Sequence, residues 1–482
     1  MILVWALAIP LLGGLGILAA GRWPNLREAV TLVTATILAV TVWSLIPRVM
    51  AGETIAMELL PLFEGVSLRF EAEPLGMLFA ALASGLWIVN SLYSIGYMRG
   101  NKEHDQTRFY LFFAIALFAA QGVAFAGNML TLFLFYEVLT VSTYPLVTHK
   151  GDAKSVRSAR LYMGYLLATS IGLLLPAIIW TYAATGTLDF QPGGIVQGHV
   201  AGPLLGVLLA LYVFGIGKAA VMPVHRWLPA AMVAPTPVSA LLHAVAVVKA
   251  GVFSVIKVIV YIFGPGYLAS QGVHDWMIWI AGFTIVAASL VALQQTNMKR
   301  MLAYSTISQL SYIVMAAAVL APLSIIGAAV HVVAHACAKI TLFFAAGAIY
   351  TASKKSELPQ MNGIGRRMPI TMTAFFIGAL SMIGVPPTAG FVSKWYMLGG
   401  AFQAEQFVVV GVLIGSTVLN AAYFLPVVVR AFFREEDVAP KKDHGEAPLP
   451  AVIALSVTAG LTVLLFVFNQ PVIDLAARLV GG

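Results

Sequence analysis

The chain has 482 residues, 60% of them hydrophobic and only 10% charged, with a formal net charge of +8. So little charge cannot cover a water-facing surface of this size, which excludes a soluble domain and indicates a polytopic membrane protein. The single cysteine, Cys337, excludes a disulfide framework and a Cys-ligated iron–sulfur cluster, and in a membrane protein the positive balance reads as basic cytoplasmic loops rather than a nucleic-acid surface.

The opening "MILVWALAIPLLGG" has no basic residue before its apolar run, so it is expected to be a retained first helix rather than a cleaved leader. A spanning helix needs about 20 mostly apolar residues. Runs of this kind fall near 2–20, 29–48, 75–98, 109–126, 128–147, 161–184, 203–222, 237–263, 275–295, 302–320, 323–350, 370–402, 406–433 and 449–468, which predicts an all-α protein of about fourteen transmembrane helices. Between the second and third runs, "AGETIAMELLPLFEGVSLRFEAEP" alternates β-prone residues with five Glu and is expected to be an extramembrane hairpin near 50–73.

The basic residues test this count. Twenty of the 28 Lys and Arg fall in loops after odd-numbered helices, Lys441 and Lys442 among them, whereas only Arg48, Arg69 and Arg478 follow even-numbered ones. By the positive-inside rule both termini are expected on the non-cytoplasmic side of the cell (inner) membrane. The remaining five basic residues, Lys218, Lys249, Lys257, Lys339 and Lys394, all fall within spans.

Two spans are predicted to be broken. The seventh reads "LYVFGIGKAAVMPVHRWLP" and the twelfth "LSMIGVPPTAGFVSKWYML", each with Gly and Pro clustered near a lysine. Proline removes a helix donor and glycine loosens the backbone. The two breaks lie five helices apart, an odd offset, so the two spans run in opposite directions. Such a pattern indicates two inverted five-helix repeats, helices 4–8 and 9–13, with ion sites at the broken helices. The expected organisation is helices 1–3 with the hairpin (1–108), a first repeat (109–263), a second repeat (275–433), and a cytoplasmic loop with a C-terminal helix (434–482).

Of the 20 acidic residues, Glu137 alone falls near the centre of a span, in "NMLTLFLFYEVL". An ionised carboxylate there costs about 2.5–3.5 kcal/mol or more, so it must be protonated, paired or hydrated. A desolvated lysine has the mirror-image difficulty and can load and release a proton. A Glu with several such lysines is suited to a proton relay; the alternative is a structural ion pair. Lys249 follows His243 by six residues in "LLHAVAVVKAG", about 600° of helix, so the two point to different sides. Lys257, two turns on, is expected to snorkel to the interface. His225 lies just after the seventh-helix break.

The eleventh span contains "HVVAHACAKI", placing His331, His335 and Lys339 on one face about 6 Å apart along the axis. A zinc-protease motif would need Glu after the first His, where Val332 stands, and a third metal ligand is not in reach, so no metal is expected. A haem protein would need two ligand pairs on facing helices, and the deep histidines are too few. A proton path is the preferred reading, with hydrogen-bonded structural histidines as the alternative.

"GKAAVMPVHRWLPAAMVAPTPVSALLHAVAVVKAG" (Gly217–Gly251) resembles the signature of the proton-translocating antiporter-like subunits of complex I, Mrp cation/proton antiporters and membrane-bound hydrogenases. "NMKRMLAYSTISQLSYI" (Asn297–Ile313), "HVVAHACAKITLFFAAG" (His331–Gly347) and "GVPPTAGFVSKW" (Gly384–Trp395) resemble further segments of that family, in the same order. The resemblance covers about residues 65–435. It implies fourteen helices in two inverted repeats and a hydrophilic axis along the membrane plane. It also implies a proton path through Glu137, its partner Lys218, Lys249, His331, His335, Lys339 and Lys394. His243, His225 and Lys257, in or beside the spans, are candidate accessory positions.

Lys394 and the absence of a long C-terminal extension resemble the D-type subunits of Mrp antiporters, since some complex I members carry Glu at that position. Ala230 and Asn297 depart from the family, which often has acids at both places, and "APTPVSALLHA" is closer to the large-subunit pattern. The implied role is a subunit of a multisubunit Na+ or K+/proton antiporter, without a cofactor of its own and assembled with other membrane subunits in the bilayer. The alternative is the proton-pumping membrane subunit of a complex I-like NADH-quinone oxidoreductase or membrane-bound hydrogenase. A stand-alone transporter of an organic solute, binding its substrate at the broken helices, is a third possibility.

Overall fold

The computed structural model of the chain describes residues 1–436 and 445–481; Lys441, Lys442 and the side chain of His243 lie outside the described residues. Helices occupy all fourteen apolar segments: α1 (Ile2–Ala19), α2 (Pro24–Met50), α3 (Pro74–Gly100), α4 (Gln106–Ala124), α5 (Met129–Val147), α6 (Ala153–Thr185), α7 (Gly202–Gly215), α8 (residues 236–263), α9 (Asp275–Leu293), α10 (Met298–Ala318), α11 (Pro322–Ser353), α12 (Pro369–Ile383), α13 (Ala389–Gln403), α14 (Phe407–Phe433) and α15 (Leu449–Val467). Among the described residues eleven are long and apolar enough to cross a membrane, or twelve if α8 and the short helix after its 75° bend form one span. The segments that fall short are α7 and the α12–α13 pair, the two expected to be broken.

Local chemistry sets where helices begin. Glu73, Asn128, Asp152 and Asn297 each accept the backbone N–H three residues on, capping α3, α5, α6 and α10. Pro24, Pro74, Pro322 and Pro369 stand in the first turn, where a missing N–H costs nothing.

The breaks are tight turns. After α7 the chain makes one 3-10 turn, Gly217–Ala219, and Ala220 adopts a left-handed conformation. After α12, Gly384 is left-handed and the chain re-enters helix at Ala389. Close approach demands glycine nearby: a Cβ on Gly390 would lie 1.8 Å from the Ser381 carbonyl oxygen, and one on Gly251 in α8 would lie 2.3 Å from the Lys218 carbonyl carbon. Span eight holds a feature that the apolar run does not reveal. Its helix is widened into π turns at Leu241–Val245 and Val258–Phe263, on either side of Lys249.

Residues 50–73 contain an antiparallel hairpin, β1 (Ile55–Phe63) and β2 (Val66–Ala72), with Ile55 opposite Ala72 and Phe63 opposite Val66. Arg69 ties it to the chain beyond α6 through Asp189 at 2.8 Å. Helix α11 is buried from Ser324 to Ile349 and α10 is buried over most of its length, whereas α1, α2, α14 and α15 turn much of their surface outward. The polar residues of α11 are therefore at the centre of the molecule.

Gly251→Ala is expected to force the broken turn out of place, at about 1–3 kcal/mol. Thermal unfolding of the detergent-solubilised protein should show a lowered Tm. Gly164→Ala, at an open position where a Cβ meets nothing within 4 Å, should leave it unchanged or slightly raised.

Candidate proton-transfer site

Lys249, His331, His335 and Lys339 are fully buried. Such groups are tolerated only where hydrogen bonds replace water. The Lys249 Nζ in α8 lies 2.7 Å from His335 Nδ1 in α11. One turn away on the same face, the His331 ring stands 5.9 Å from that of His335. His331 Nδ1 meets Ser393 Oγ at 2.8 Å, and its Nε2 meets Gln309 Oε1 at 3.0 Å. On the other side of His335, Lys339 donates to Ser305 Oγ at 2.8 Å. The three residues share one face of α11, and His335 Nε2 has no hydrogen-bond partner among the described residues.

Lys394, in the first turns of α13, donates to the carbonyls of Met382 and Ile383, both at 2.9 Å. These carbonyls end α12, where the missing next turn leaves acceptors free and the helix dipole favours a cation. The break in span twelve therefore creates the lysine's binding place.

Lys218, in the broken turn of span seven, reaches back to α5. Its Nζ donates to Tyr136 O at 2.8 Å and Thr140 Oγ1 at 2.5 Å, and its backbone N–H donates to the Tyr136 hydroxyl at 3.0 Å. Glu137, one residue after Tyr136, is half-buried, and its carboxylate oxygens make no hydrogen bond among the described residues. Lys218 thus bonds to the residues flanking Glu137 rather than to the carboxylate itself. The backbone of Lys218 packs closely against Gly251 of α8.

The accessory positions separate. His225 is half-buried beyond the turn, its ring 6.5 Å from that of Tyr304 and away from the α11 cluster. Lys257 does not snorkel: it is fully buried, donates to Ala126 O at 2.7 Å and pairs with Glu73 Oε1 at 3.1 Å. Tyr261 donates to the other Glu73 oxygen. Glu73 caps α3, far away in sequence, so a reading along α8 alone could not find this partner.

Several polar residues of the site, Ser305, Gln309, Ser393, Asn420, Tyr423, Tyr136 and Thr140, are neutral, and a census of charges passes over them. The signal was there in "STISQLSY", where Ser305 and Gln309 share a helical face, and in Asn420 and Tyr423, three apart in an apolar helix. Among the described residues no group of three or more His, Cys, Asp or Glu is placed to hold a metal ion.

Two cavities lie at opposite ends of α3 and α11. One of about 540 Å³ is lined by Glu71, Glu73, Lys257 and Tyr261, and another of about 310 Å³ by Tyr97, Lys150, Lys154 and Lys299. His335 lies 10 residues from Ile325 in the first and 11 from Ala346 in the second, about 15 Å of helix either way.

Residues 126–420 match the family model described as NADH:quinone oxidoreductase/Mrp antiporter, transmembrane. The chain is 31% identical over 414 residues to the N subunit of the NADH-quinone oxidoreductase of Desulforudis audaxviator, covering 82% of each protein. It is 28% identical over 369 residues to the D subunit of the Na(+)/H(+) antiporter of Alkalihalophilus pseudofirmus, covering 75% of this chain and 74% of that protein. Three other relatives are longer, and the chain spans only 34% to 62% of their length. In fold it is similar to a chain of the Mrp complex from Dietzia sp. DQ12-45-1b, with a TM-score of 0.84, 20% identity, and coverage of 98% of this chain and 96% of that one.

Lys257→Met should leave the Glu73 carboxylate short of its cation and destabilise the protein by about 1–3 kcal/mol. Glu73→Gln added to it should recover much of the loss. Thermal unfolding of the two variants measures this, and an unchanged Tm for Lys257→Met would show the pair to be inert.

Proposed function

The chain belongs to the NADH:quinone oxidoreductase/Mrp antiporter family, and from that premise we propose that it is the proton-translocating subunit of a multisubunit Na+ or K+/proton antiporter, equivalent to the D-type subunit of Mrp assemblies. The observation that carries this reading is the 2.7 Å contact between Lys249 and His335 at the centre of a fully buried polar stripe. A buried pair of this kind can pass a proton directly from one nitrogen to the other. The Lys at position 394, as in Mrp D-like subunits, supports the antiporter assignment.

In this reading a proton enters near Lys218 and Lys249, passes to His335 and along its face to His331 or Lys339, and leaves near Lys394. The two cavities bring water towards the stripe from opposite ends. Glu137 and Lys218 form the switch. With Lys218 held by Tyr136 and Thr140, the switch is open; closing it brings a negative charge to the ammonium and fixes a proton there, and reopening it sends a proton towards Lys249. Both termini lie on the non-cytoplasmic side, and the two broken spans belong to inverted repeats.

A second reading is favoured by the 31% identity to an oxidoreductase N subunit over 82% of both chains. There the same relay is the proton module of a redox-driven complex whose other subunits hold the cofactors. Co-purification separates the two: small membrane subunits alone for the antiporter, flavin and iron–sulfur proteins for the redox complex.

Glu137→Ala is expected to abolish pH-gradient-driven cation exchange in inverted vesicles, by about 10²-fold or more if proton transfer depends on the switch. Native gels should show the complex still assembled. Normal exchange by an assembled Glu137→Ala complex would refute the switch.

A further inference from the structure

Three polar chains approach Lys394, and none of them ends on a group that can hand it a proton. From Lys339, a hydrogen bond runs to Ser305 Oγ, and the same oxygen accepts from the Tyr423 hydroxyl at 3.0 Å. Tyr423 donates to Asn420 Oδ1. The Asn420 amide N–H groups are directed to the Tyr312 hydroxyl at 3.3 Å and to the Met382 carbonyl at 3.4 Å. From His331, Nε2 faces Gln309 Oε1, and Gln309 Nε2 donates at 3.4 Å to the same Met382 carbonyl. The third chain runs from His331 Nδ1 to Ser393, whose hydroxyl is also within 3.0 Å of the Gly390 carbonyl and stops there. Lys394 itself donates to Met382 O.

The carbonyl of Met382 is thus a hub for two amides and one lysine. A hydroxyl can pass a proton on, taking one as it releases one. The Tyr423 hydroxyl has one proton, placed to donate to Ser305 Oγ or to Asn420 Oδ1; once Ser305 turns its own proton towards Tyr423, a proton leaving Lys339 can follow to Ser305 while the Tyr423 proton faces Asn420 Oδ1. There the sequence stops, because an amide carbonyl is a weak base and an amide nitrogen keeps its hydrogens. Asn420 has its oxygen and both N–H groups engaged, which holds it in this insulating position. Gln309 occupies the equivalent place on the His331 side.

Resting on the reading of Lys394 as the exit, we propose that Asn420 and Gln309 are paired amide gates. Each insulates the exit lysine from one arm of the stripe, so a proton reaches Lys394 only when an amide turns aside. Gates of this kind keep protons from leaking along the hydrogen-bonded side chains that approach the exit lysine. Neither residue carries the proton itself; both are positioning residues.

Acid substitutions of the same shape make the test. The assembled complex carrying Asn420→Asp or Gln309→Glu is reconstituted in proteoliposomes in choline medium without Na+ or K+, with tetraphenylphosphonium carrying the balancing charge. A trapped pH dye reads proton leak after an acid jump. Each variant should leak faster than wild type, by about tenfold or more, since a carboxylate relays what an amide does not. Adding Tyr423→Phe should abolish the Asn420→Asp leak and leave the Gln309→Glu leak intact. Wild-type leak rates in both acid variants, or an Asn420→Asp leak that survives Tyr423→Phe, would overturn the proposal. If Asn420→Asp does not assemble, Asn420→His is read in the same way. Wild-type complex without cation-dependent proton movement would instead overturn the transport reading, and the leak comparison would still decide the gates.

Discussion

A charge inside a membrane must be matched by something other than water, and the architecture of this chain follows from that requirement. The hydrocarbon gives no partner to Lys249, so the partner comes from α11, where His335 stands 2.7 Å away. For His335 to be there, α11 has to be surrounded by other helices, and it is buried from Ser324 to Ile349. Helices that face outward, such as α1 and α15, carry apolar residues and cover this polar centre. The fold can be understood as an apolar jacket around a line of titratable groups.

The interruptions in the helices meet the same requirement. A continuous helix consumes its own carbonyls and offers none to a lysine. At the end of α12 the chain turns at Gly384, and the carbonyls of Met382 and Ile383 become acceptors for Lys394. In span seven the break places Lys218 where it can fold back on α5, to the carbonyl of Tyr136 and the hydroxyl of Thr140. Glycine makes the turns possible through close packing, most plainly where Gly251 meets the backbone of Lys218. In both spans the lysine sits at the break and depends on it.

Much of this was legible in the sequence, because apolar runs, Gly/Pro clusters and buried charges are local signals. All fourteen apolar segments contain helix, and the two spans marked by Gly215, Gly217, Pro386 and Pro387 are both interrupted, as is span eight, which carries no such mark. The parts not legible depend on distant residues. Lys257 looked like a snorkelling lysine because its partner, Glu73, caps a helix far earlier in the chain. The π turn before Lys249 has no breaker residue in "LLHAV" to mark it. Asn420 and Gln309 are neutral amides and do not register in a charge census, although their geometry places both at the Met382 carbonyl that Lys394 also meets.

The central claim is that Lys249 and His335 share a proton that moves. The most direct measurement is a double-mutant comparison of pH-gradient-driven exchange in vesicles with assembled complex carrying Lys249→Met, His335→Ala, or both. The account predicts that each single change removes exchange and that the double change is no worse than either alone, because both interrupt one transfer. Exchange that persists in Lys249→Met would contradict it.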